Sequence, residues 1–401
     1  MAGVVTAGVG GNVAVLAGQC DGRQRRRRSS SSCKASMSLV PATKFGGAVG
    51  LRTKENGGRA WRRELNSSAV LGVRAEIRTE EASADSVAMA IPQTQQAWVY
   101  QAYGEKEVMS IGEVAVPELN PDQVLIKVCA AALNPVDSKR RGGKFQATDS
   151  DLPIVPGYDC SGIVVKVGSE VSKFKVGDEV YGDTSEFCLN GPKQYGTLAQ
   201  YTAAEEKLLA KKPQSLTFAE AASLPLALQT AYQGWQKAGI KEGHKVMVLG
   251  GAGGVGTLAI QLAKQVFKAS SVAATASTGK VDLLKSLGAD VVVDYTKQKL
   301  EEWPEKYDVV YDTVGKGEGT KVVKPDGGLV VITGPVEPPG FRYVIVSKGS
   351  DLEELNPYFE TGSMQAVLDP QGLFPFTKVV EAFGYLETGR AFGKVVISPI
   401  E

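Results

Sequence analysis

A glycine-rich turn lies between an apolar run and an amphipathic stretch beyond the middle of the chain. Residues 246–249 predict a buried strand, and residues 257–267 carry apolar side chains at helical spacing. The glycines between them have the Gly-x-Gly-x-x-Gly spacing, which permits a tight turn, close approach of a pyrophosphate and close packing of the helix on its strand. These glycines are Gly251, Gly253 and Gly256. Because the turn follows a strand and opens a helix, it predicts a dinucleotide-binding site rather than a plain structural turn.

The end of the next strand indicates which dinucleotide is bound. Proteins that bind NAD place Asp or Glu there to hold the ribose hydroxyls. Here residues 274–280 read Ala-Thr-Ala-Ser-Thr-Gly-Lys, and no acid appears before Asp282. Ser277 can hydrogen-bond a 2′-phosphate and Lys280 can neutralise it, with Thr278 in the same loop. The pattern predicts NADPH, and the alternative is that Lys280 is only an exposed lysine at the start of a helix.

Length and charge limit the class of protein. The 401 residues suggest two or three domains and contain no apolar run near the roughly 20 residues that span a bilayer. Residues 1–75 carry 13 Lys or Arg and 3 acids, which leaves 32 basic and 41 acidic residues for the remainder. A remainder with a net charge of 32 − 41 = −9 has no general attraction for nucleic acid or anionic lipid.

The basic N-terminal segment has the composition of a targeting peptide. Residues 25–28 are all arginine and residues 29–32 are all serine. A secretory signal would have an apolar core after the charged run, so residues 1–75 predict a chloroplast transit peptide. Val73-Arg74-Ala75 resembles a stromal processing site, which predicts cleavage near Glu76, followed by a linker over residues 76–95. The alternative is a disordered tail that binds anions.

The pattern of predicted strands and helices changes once along the folded part of the chain. Residues 96–217 contain short β-rich runs bounded by Gly, Pro and Asp, which predict a partly open β-barrel. One such run is residues 197–201. Residues 218–355 alternate strands and helices, which predicts a doubly wound parallel sheet. The tail, residues 356–401, contains a helix and a strand that we expect to return to the barrel, so the predicted fold class is α/β.

Several segments are similar to the signatures of plant quinone-oxidoreductase-like enone reductases. They are residues 131–141 (AALNPVDSKRR), 155–162 (VPGYDCSG), 273–278 (AATAST) and 355–358 (LNPY). On these segments the chain resembles the zinc-independent quinone-oxidoreductase subfamily of the medium-chain dehydrogenase/reductase superfamily, from about residue 97 to the C-terminus. The resemblance implies a GroES-like domain (96–217 and 356–401) and a Rossmann domain (218–355). It also implies cofactor contacts at Lys139, Gly254, Val255, Tyr295, Ile332 and Arg390.

Zinc is not expected. Where zinc-dependent members of the superfamily carry Cys, His and Glu, this chain offers Asn134 or Pro135, Tyr158 and Asp159. A catalytic zinc needs three protein ligands and an open position, and this set is not convincing. The cysteines at 129, 160 and 188 lack Cys-x-x-Cys spacing, so we expect them to be small buried apolar residues.

The catalytic residues are inferred from the resemblance and from the chemistry. Hydride addition to the β-carbon of an activated C=C bond builds negative charge on the carbonyl oxygen, and a hydrogen-bond donor there would lower the barrier. In the resembling enzymes the lysine of Asn-Pro-Val-Asp-x-Lys contacts cofactor and substrate, and here it is Lys139. The alternative is a salt bridge from Lys139 to Asp137 or Asp159. Tyr158 is a weaker candidate, as proton donor, because a tyrosine beside a glycine is more often a packing residue. Bulk water is the other source of the proton.

These observations predict an NADPH-dependent oxidoreductase that reduces the C=C bond of α,β-unsaturated carbonyls, alkenals or enones, in the chloroplast stroma. Its role would be detoxification of reactive carbonyls. One alternative is an NADPH quinone oxidoreductase, and another is an NADPH-binding protein without turnover. The expected partner is a small-molecule substrate, with no nucleic acid and no membrane span. The chain is expected to be a monomer or a homodimer.

Overall fold

The computed structural model describes residues 91–401. The predicted transit peptide, residues 1–75, and most of the predicted linker, residues 76–95, lie outside the described residues. Within residues 91–401, no helix is both long and apolar enough to cross a membrane.

The strands of the described part form one parallel sheet, one larger antiparallel sheet and a hairpin. In chain order they are β1 (Thr94–Tyr100), β2 (Met109–Ala115), β3 (Gln123–Ala132), β4 (Asp159–Val167), β5 (Glu179–Asp183), β6 (Tyr201–Glu205), β7 (Leu209–Lys211), β8 (Lys245–Leu249), β9 (Ser271–Ala276), β10 (Val291–Asp294), β11 (Tyr307–Asp312), β12 (Val323–Val331) and β13 (Val396–Ile397).

The α-helices differ in length from one or two turns to more than three. They are α1 (Pro135–Arg141), α2 (Phe218–Ala222), α3 (Pro225–Lys237), α4 (Gly254–Gln261), α5 (Val281–Ser286), α6 (Gly349–Glu360) and α7 (Val379–Glu387). The residues directly after α4, Leu262–Val266, continue it as a π-helix.

The parallel sheet has the strand order β10-β9-β8-β11-β12. Its central strands are largely buried on both faces, as expected for strands that are covered by helices on each side. The order reverses beside β8, because β9 lies on one side of β8 and β11 lies on the other. In open α/β sheets such a reversal leaves a crevice at the carboxyl ends of the strands, where ligands bind.

The antiparallel sheet has the order β13-β3-β4-β5-β7, and β6 also pairs with β3. The C-terminal strand β13 pairs with β3 through Val396 opposite Ala132 and Ile397 opposite Ala131. Helix α7 packs in the same core, where its Phe383 is fully buried. The C-terminal segment therefore lies against the barrel-forming strands.

Some boundaries differ from those expected from the sequence. The helix after the glycine turn begins at Gly254, three residues earlier than the expected 257, because glycine positions carry no apolar signal. The strand expected at 197–201 begins instead at Tyr201, where β6 starts. Ala199 pairs with Ala97 through an isolated bridge, so residues 197–200 lie outside the continuous ladder.

Candidate active site

The glycine-rich turn packs tightly against its own strand and is open on its outer side. A Cβ at Gly256 would lie 2.2 Å from the Gly250 carbonyl oxygen, so only glycine permits this approach of α4 to the end of β8. At Gly253, the N-cap of α4, the nearest atom to an added Cβ is 3.7 Å away. The open space at Gly253 is therefore not needed for packing, and it leaves room for a ligand at the helix N-terminus.

A cleft of about 550 Å³ opens from this turn along the carboxyl ends of the parallel strands. It is bordered by the connections that follow four of the parallel strands and by Gly389 and Ala391, between α7 and β13. Its position is that of the crevice expected at the reversal of strand order. Lining residues include Gly250, Gly253, Ser277, Lys280, Tyr295 and Thr313. Size, position and glycine geometry all fit a dinucleotide.

The structure brings Ser277, Lys280 and Tyr295 together in this cleft. The Lys280 ammonium donates to the carbonyl oxygens of Arg390 at 3.1 Å and Ala391 at 3.3 Å. An ammonium has three donors, so one remains for an anion in the cleft. The Tyr295 side chain is 60% exposed at the edge of the cleft, which leaves its ring available for stacking.

Three other residues expected to contact the cofactor, Thr278, Ile332 and Arg390, do not line this cleft. The Thr278 hydroxyl donates to Asp294 Oδ2 at 2.5 Å, so it is already engaged by a protein carboxylate. Ile332 directly follows β12, and its amide donates to the Asp312 carbonyl at 3.1 Å. Arg390 is exposed, and its contact with Lys280 is made by its backbone carbonyl.

Lys139 lies on α1, and its side chain reaches solvent. The pKa of its ammonium is lowered, first by partial burial and then by the positive charges of Lys144 and Arg342. Asp159 pairs with Lys394. Asp137 Oδ2 accepts the Asn134 backbone amide at 2.7 Å. The other carboxylate oxygen of Asp137, Oδ1, has no hydrogen-bond partner among residues 91–401. The alternative of a salt bridge from Lys139 to either aspartate is therefore wrong.

Tyr158 is buried, and its hydroxyl is held by two neighbours. It donates to the Cys188 carbonyl oxygen at 2.9 Å and accepts from Arg140 Nε at 2.7 Å. Arg140 in turn pairs with Asp149. Burial raises the pKa of the Tyr158 phenol above its usual range. A proton-donor role for Tyr158 would require its hydroxyl to leave the Cys188 carbonyl.

Sequence reasoning missed Lys394, which is buried between Asn134 and Asp159. Its Nζ donates to Asn134 Oδ1 at 2.5 Å and lies 3.2 Å from Asp159 Oδ2. Asp159 is inaccessible to solvent and also accepts the Leu226 amide at 2.8 Å. The only sequence signal was a lysine directly before the apolar run 395–397.

Two family models match the chain. The alcohol dehydrogenase GroES-like domain matches residues 120–214, and the zinc-binding dehydrogenase model matches residues 287–397. The quinone oxidoreductase from Coxiella burnetii has a similar structure, with a TM-score of 0.67 and 31% identity, over 76% of this chain and 99% of that chain.

Two plant proteins are much more similar. The 2-methylene-furan-3-one reductase of Solanum lycopersicum is 61% identical over 338 residues, 84% of this chain and 87% of that protein. The NADPH-dependent alkenal/one oxidoreductase, chloroplastic, of Arabidopsis thaliana is 55% identical over 337 residues, 83% of this chain and 87% of that protein. The chain belongs to the medium-chain dehydrogenase/reductase superfamily. Within it the chain falls in the quinone-oxidoreductase-like group, as the sequence motifs predicted.

This member of the superfamily departs from the zinc-binding pattern at the positions named above. Asn134 and Asp159 are bonded to an ammonium rather than arranged around an open position, and Tyr158 is bonded to Arg140 and a carbonyl. In the described part of the chain, no group of three or more His, Cys, Asp or Glu side chains is placed to hold a metal. Cys160 and Cys188 are buried as expected, whereas Cys129 is only half-buried.

The buried acid Asp137 makes stability depend on pH. Burial raises its pKa to about 7, opposed by hydrogen bonding to the Asn134 amide. Between about pH 4 and pH 7 the folded protein holds a proton that the unfolded chain releases, so the stability from this group is lost as pH rises through about 7. We expect Asp137→Asn to flatten the fall in unfolding free energy over this window, by at most about 1.4 kcal/mol per pH unit.

Urea unfolding at several pH values measures this slope. Asp151→Asn, a change of the same type at an exposed position, should follow the native protein. Equal pH slopes for the native protein and Asp137→Asn would contradict the expectation.

Proposed function

We propose that this protein is an NADPH-dependent reductase of the C=C bond of α,β-unsaturated carbonyls, acting on alkenals and enones. The observation that carries the proposal is the 55% identity, over 83% of this chain, to a protein named as an NADPH-dependent alkenal/one oxidoreductase. The second plant relative is named as a reductase of 2-methylene-furan-3-one, a compound that is itself an α,β-unsaturated ketone. We propose that the role of the present protein is detoxification of reactive carbonyls. The quinone oxidoreductase alternative has support from more distant relatives, at about half that identity.

The chain supplies a site for each part of NADPH. Gly251, Gly253 and Gly256, with Gly254 and Val255, hold the pyrophosphate at the N-terminus of α4. Ser277 and Lys280 bind the 2′-phosphate, and Tyr295 stacks on the adenine. Thr278, Ile332 and Arg390 complete the binding site. Support for this assignment is that Ser277, Lys280 and Tyr295 line one cleft with the glycine turn.

Bound NADPH supplies the hydride that adds to the β-carbon of the substrate. Lys139 contacts the cofactor and donates a hydrogen bond to the carbonyl oxygen as it becomes an enolate. Its lowered pKa makes the ammonium a better hydrogen-bond and proton donor to that oxygen. The α-carbon then takes a proton from water or, as the weaker candidate, from Tyr158.

A small apolar cluster beside α1 suits the carbon chain of such a substrate. Tyr158, Cys188 and Ile345 are buried together, and Val136 and Tyr343 pack against them. Val136 is on the same helix as Lys139, three residues earlier. An unsaturated carbonyl with its oxygen at Lys139 would thus have apolar side chains near its tail.

We propose that the reaction uses no zinc. The position between Asn134 and Asp159 holds the Lys394 ammonium, at 2.5 Å and 3.2 Å from their oxygens. A metal ion there would meet a positive charge and would have to displace it. The positive charge at the substrate oxygen comes from Lys139 instead.

The cofactor assignment predicts a selective loss of NADPH affinity. We expect Ser277→Ala/Lys280→Ala to raise the dissociation constant for NADPH by about 10- to 100-fold, because charge-assisted hydrogen bonds to the 2′-phosphate are lost. The dissociation constant for NADH should change little. Fluorescence titration with both dinucleotides measures this, with Lys285→Ala as the control that removes one positive charge outside the cleft. Equal losses for NADPH and NADH would overturn the assignment.

The catalytic assignment predicts a loss of turnover. With residues 1–75 removed, we expect the protein to oxidise NADPH with 1-octen-3-one or acrolein. Lys139→Ala should lower kcat by about 10²- to 10³-fold, the usual effect of removing one donor to a developing oxyanion. Absorbance of NADPH follows the reaction.

Controls separate the alternatives. Lys285→Ala removes one exposed positive charge outside the cleft and should retain most of the turnover, while Tyr158→Phe tests the weaker proton donor. Turnover of a benzoquinone only, unaffected by Lys139→Ala, would indicate the quinone oxidoreductase. Tight NADPH binding without turnover of any acceptor would indicate a binding protein.

We propose that the protein acts in the chloroplast stroma after removal of residues 1–75. The relatives from Arabidopsis thaliana and Spinacia oleracea carry the word chloroplastic in their names. The mature chain would then consist of the linker (76–95), the GroES-like domain (96–217 and 356–401) and the Rossmann domain (218–355).

The proposed location is tested by import into isolated chloroplasts. We expect a protease-protected product whose N-terminal sequence begins near Glu76. A chain that stays outside, or that keeps residues 1–75, would contradict the proposal.

A further inference from the structure

Lys394 joins the glycine-rich turn to helix α1. Its neighbour Gly393 donates its amide to the Ala252 carbonyl at 2.9 Å, so the backbone at this point is bonded to the turn. A Cβ added at Gly254 would lie 2.8 Å from Lys394 Cδ, which shows that the lysine stem passes directly over the first residue of α4. The stem is therefore held beside the N-terminus of α4, next to the open space at Gly253 where we propose that the pyrophosphate binds.

The other end of the same side chain reaches the start of α1. Asn134 is the N-cap of that helix, and its Oδ1 accepts from Lys394 Nζ at 2.5 Å. The Asn134 side-chain amide donates to Asp159 Oδ2 at 2.9 Å, and its backbone amide donates to Asp137 Oδ2 at 2.7 Å. The N-terminus of α1 is thus fixed by the network that Lys394 completes. Because the helix is short, fixing its first turn also places the backbone from which the Lys139 side chain extends.

The same network includes a third element. Asp159 Oδ1 accepts the amide of Leu226, in the first turn of α3, at 2.8 Å. Helix α3 packs beside α4 in the core of the parallel sheet, where Trp235 donates to the Ala259 carbonyl at 3.0 Å. The carboxylate thus relates α1 to the helices beside the cleft. Residues 393 and 394 link the turn to α1 through two hydrogen bonds, from the Gly393 amide to the Ala252 carbonyl and from the Lys394 ammonium to Asn134.

Stability alone does not account for a charged residue here. Removing a carboxylate and an ammonium from water costs several kcal/mol per ion, and apolar replacements of buried ion pairs are often neutral or stabilising. An apolar side chain would cover Gly254 equally well. It would not fix Asn134, because only a hydrogen-bond donor can bridge the Asn134 and Asp159 oxygens.

We propose that Lys394 is a positioning residue of the reductase: it sets the placement of Lys139 relative to the bound dinucleotide. The inference rests on the proposed function, since it requires that Lys139 acts on the substrate oxygen. Lys394 itself touches neither substrate nor reacting atoms, because its ammonium is buried against Asn134 and Asp159.

A double-mutant cycle with Lys139 tests the proposal. We expect Lys394→Met, which keeps an unbranched stem beside Gly254, to lower kcat for 1-octen-3-one by about tenfold. In the Lys139→Ala background the same change should lower kcat by less than about twofold, because there is no ammonium left to position. Lys394→Arg, which retains a buried donor, should recover most of the loss.

The outcomes separate this proposal from a structural role and from the proposed function. Equal losses in both backgrounds, or no loss in the native background, would overturn the positioning role while leaving the function intact. A Lys139→Ala variant with native kcat would overturn the catalytic assignment and this inference together. If Lys394→Met does not fold, the cycle is run with Lys394→Met/Asp159→Asn, which leaves no unpaired buried charge, and the same criteria apply.

Discussion

The side-chain carboxylate of Asp159 is inaccessible to solvent, and this burial constrains the arrangement of the site. A buried charge must be paired and hydrogen-bonded, or it is strongly destabilising. Here one oxygen takes the Leu226 amide, and the other takes the Asn134 side chain and the Lys394 ammonium. These three partners come from distant parts of the chain. Satisfying one carboxylate therefore brings together α1, α3 and the segment that leads into β13.

The cleft depends on a second constraint, the close approach of α4 to the end of β8. The absence of a side chain at Gly256 lets the helix begin against the Gly250 carbonyl, and the sheet order reverses at the same strand. The N-terminus of α4 therefore faces the crevice between the connections that carry Ser277 and Thr313. A dinucleotide bound there would run from Ser277 and Lys280, the proposed site of the 2′-phosphate, past the glycine-rich turn toward α1.

The two constraints meet at residues 393 and 394. Gly393 is bonded to the turn, and Lys394 extends from it to the buried carboxylate. The C-terminal segment thus does more than complete the antiparallel sheet. It carries Arg390 and Ala391, whose carbonyls hold Lys280, and a few residues later the lysine that bonds Asn134.

The sequence by itself determined the local features. The glycine spacing, the absence of an acid before Asp282 and the change from short strands to alternating strands and helices are short-range patterns. The structure places Ser277, Lys280 and Tyr295 together because each follows or flanks a strand of one parallel sheet. The start of α4 at Gly254 was harder to predict from the sequence, because glycine contributes nothing to an apolar periodicity.

Only the tertiary structure decided which charges pair. Asn134 and Lys394 are 260 residues apart, and Asp159 and Lys394 are 235 apart, so no local pattern relates them. From the sequence, Asp159 was an open alternative partner for Lys139, and Lys394 was one lysine before a strand. The return of β13 to β3 places Lys394 beside Asp159 and leaves the Lys139 ammonium free of that carboxylate. Long-range packing decides this because a buried carboxylate pairs with whichever cation the fold brings into contact with it.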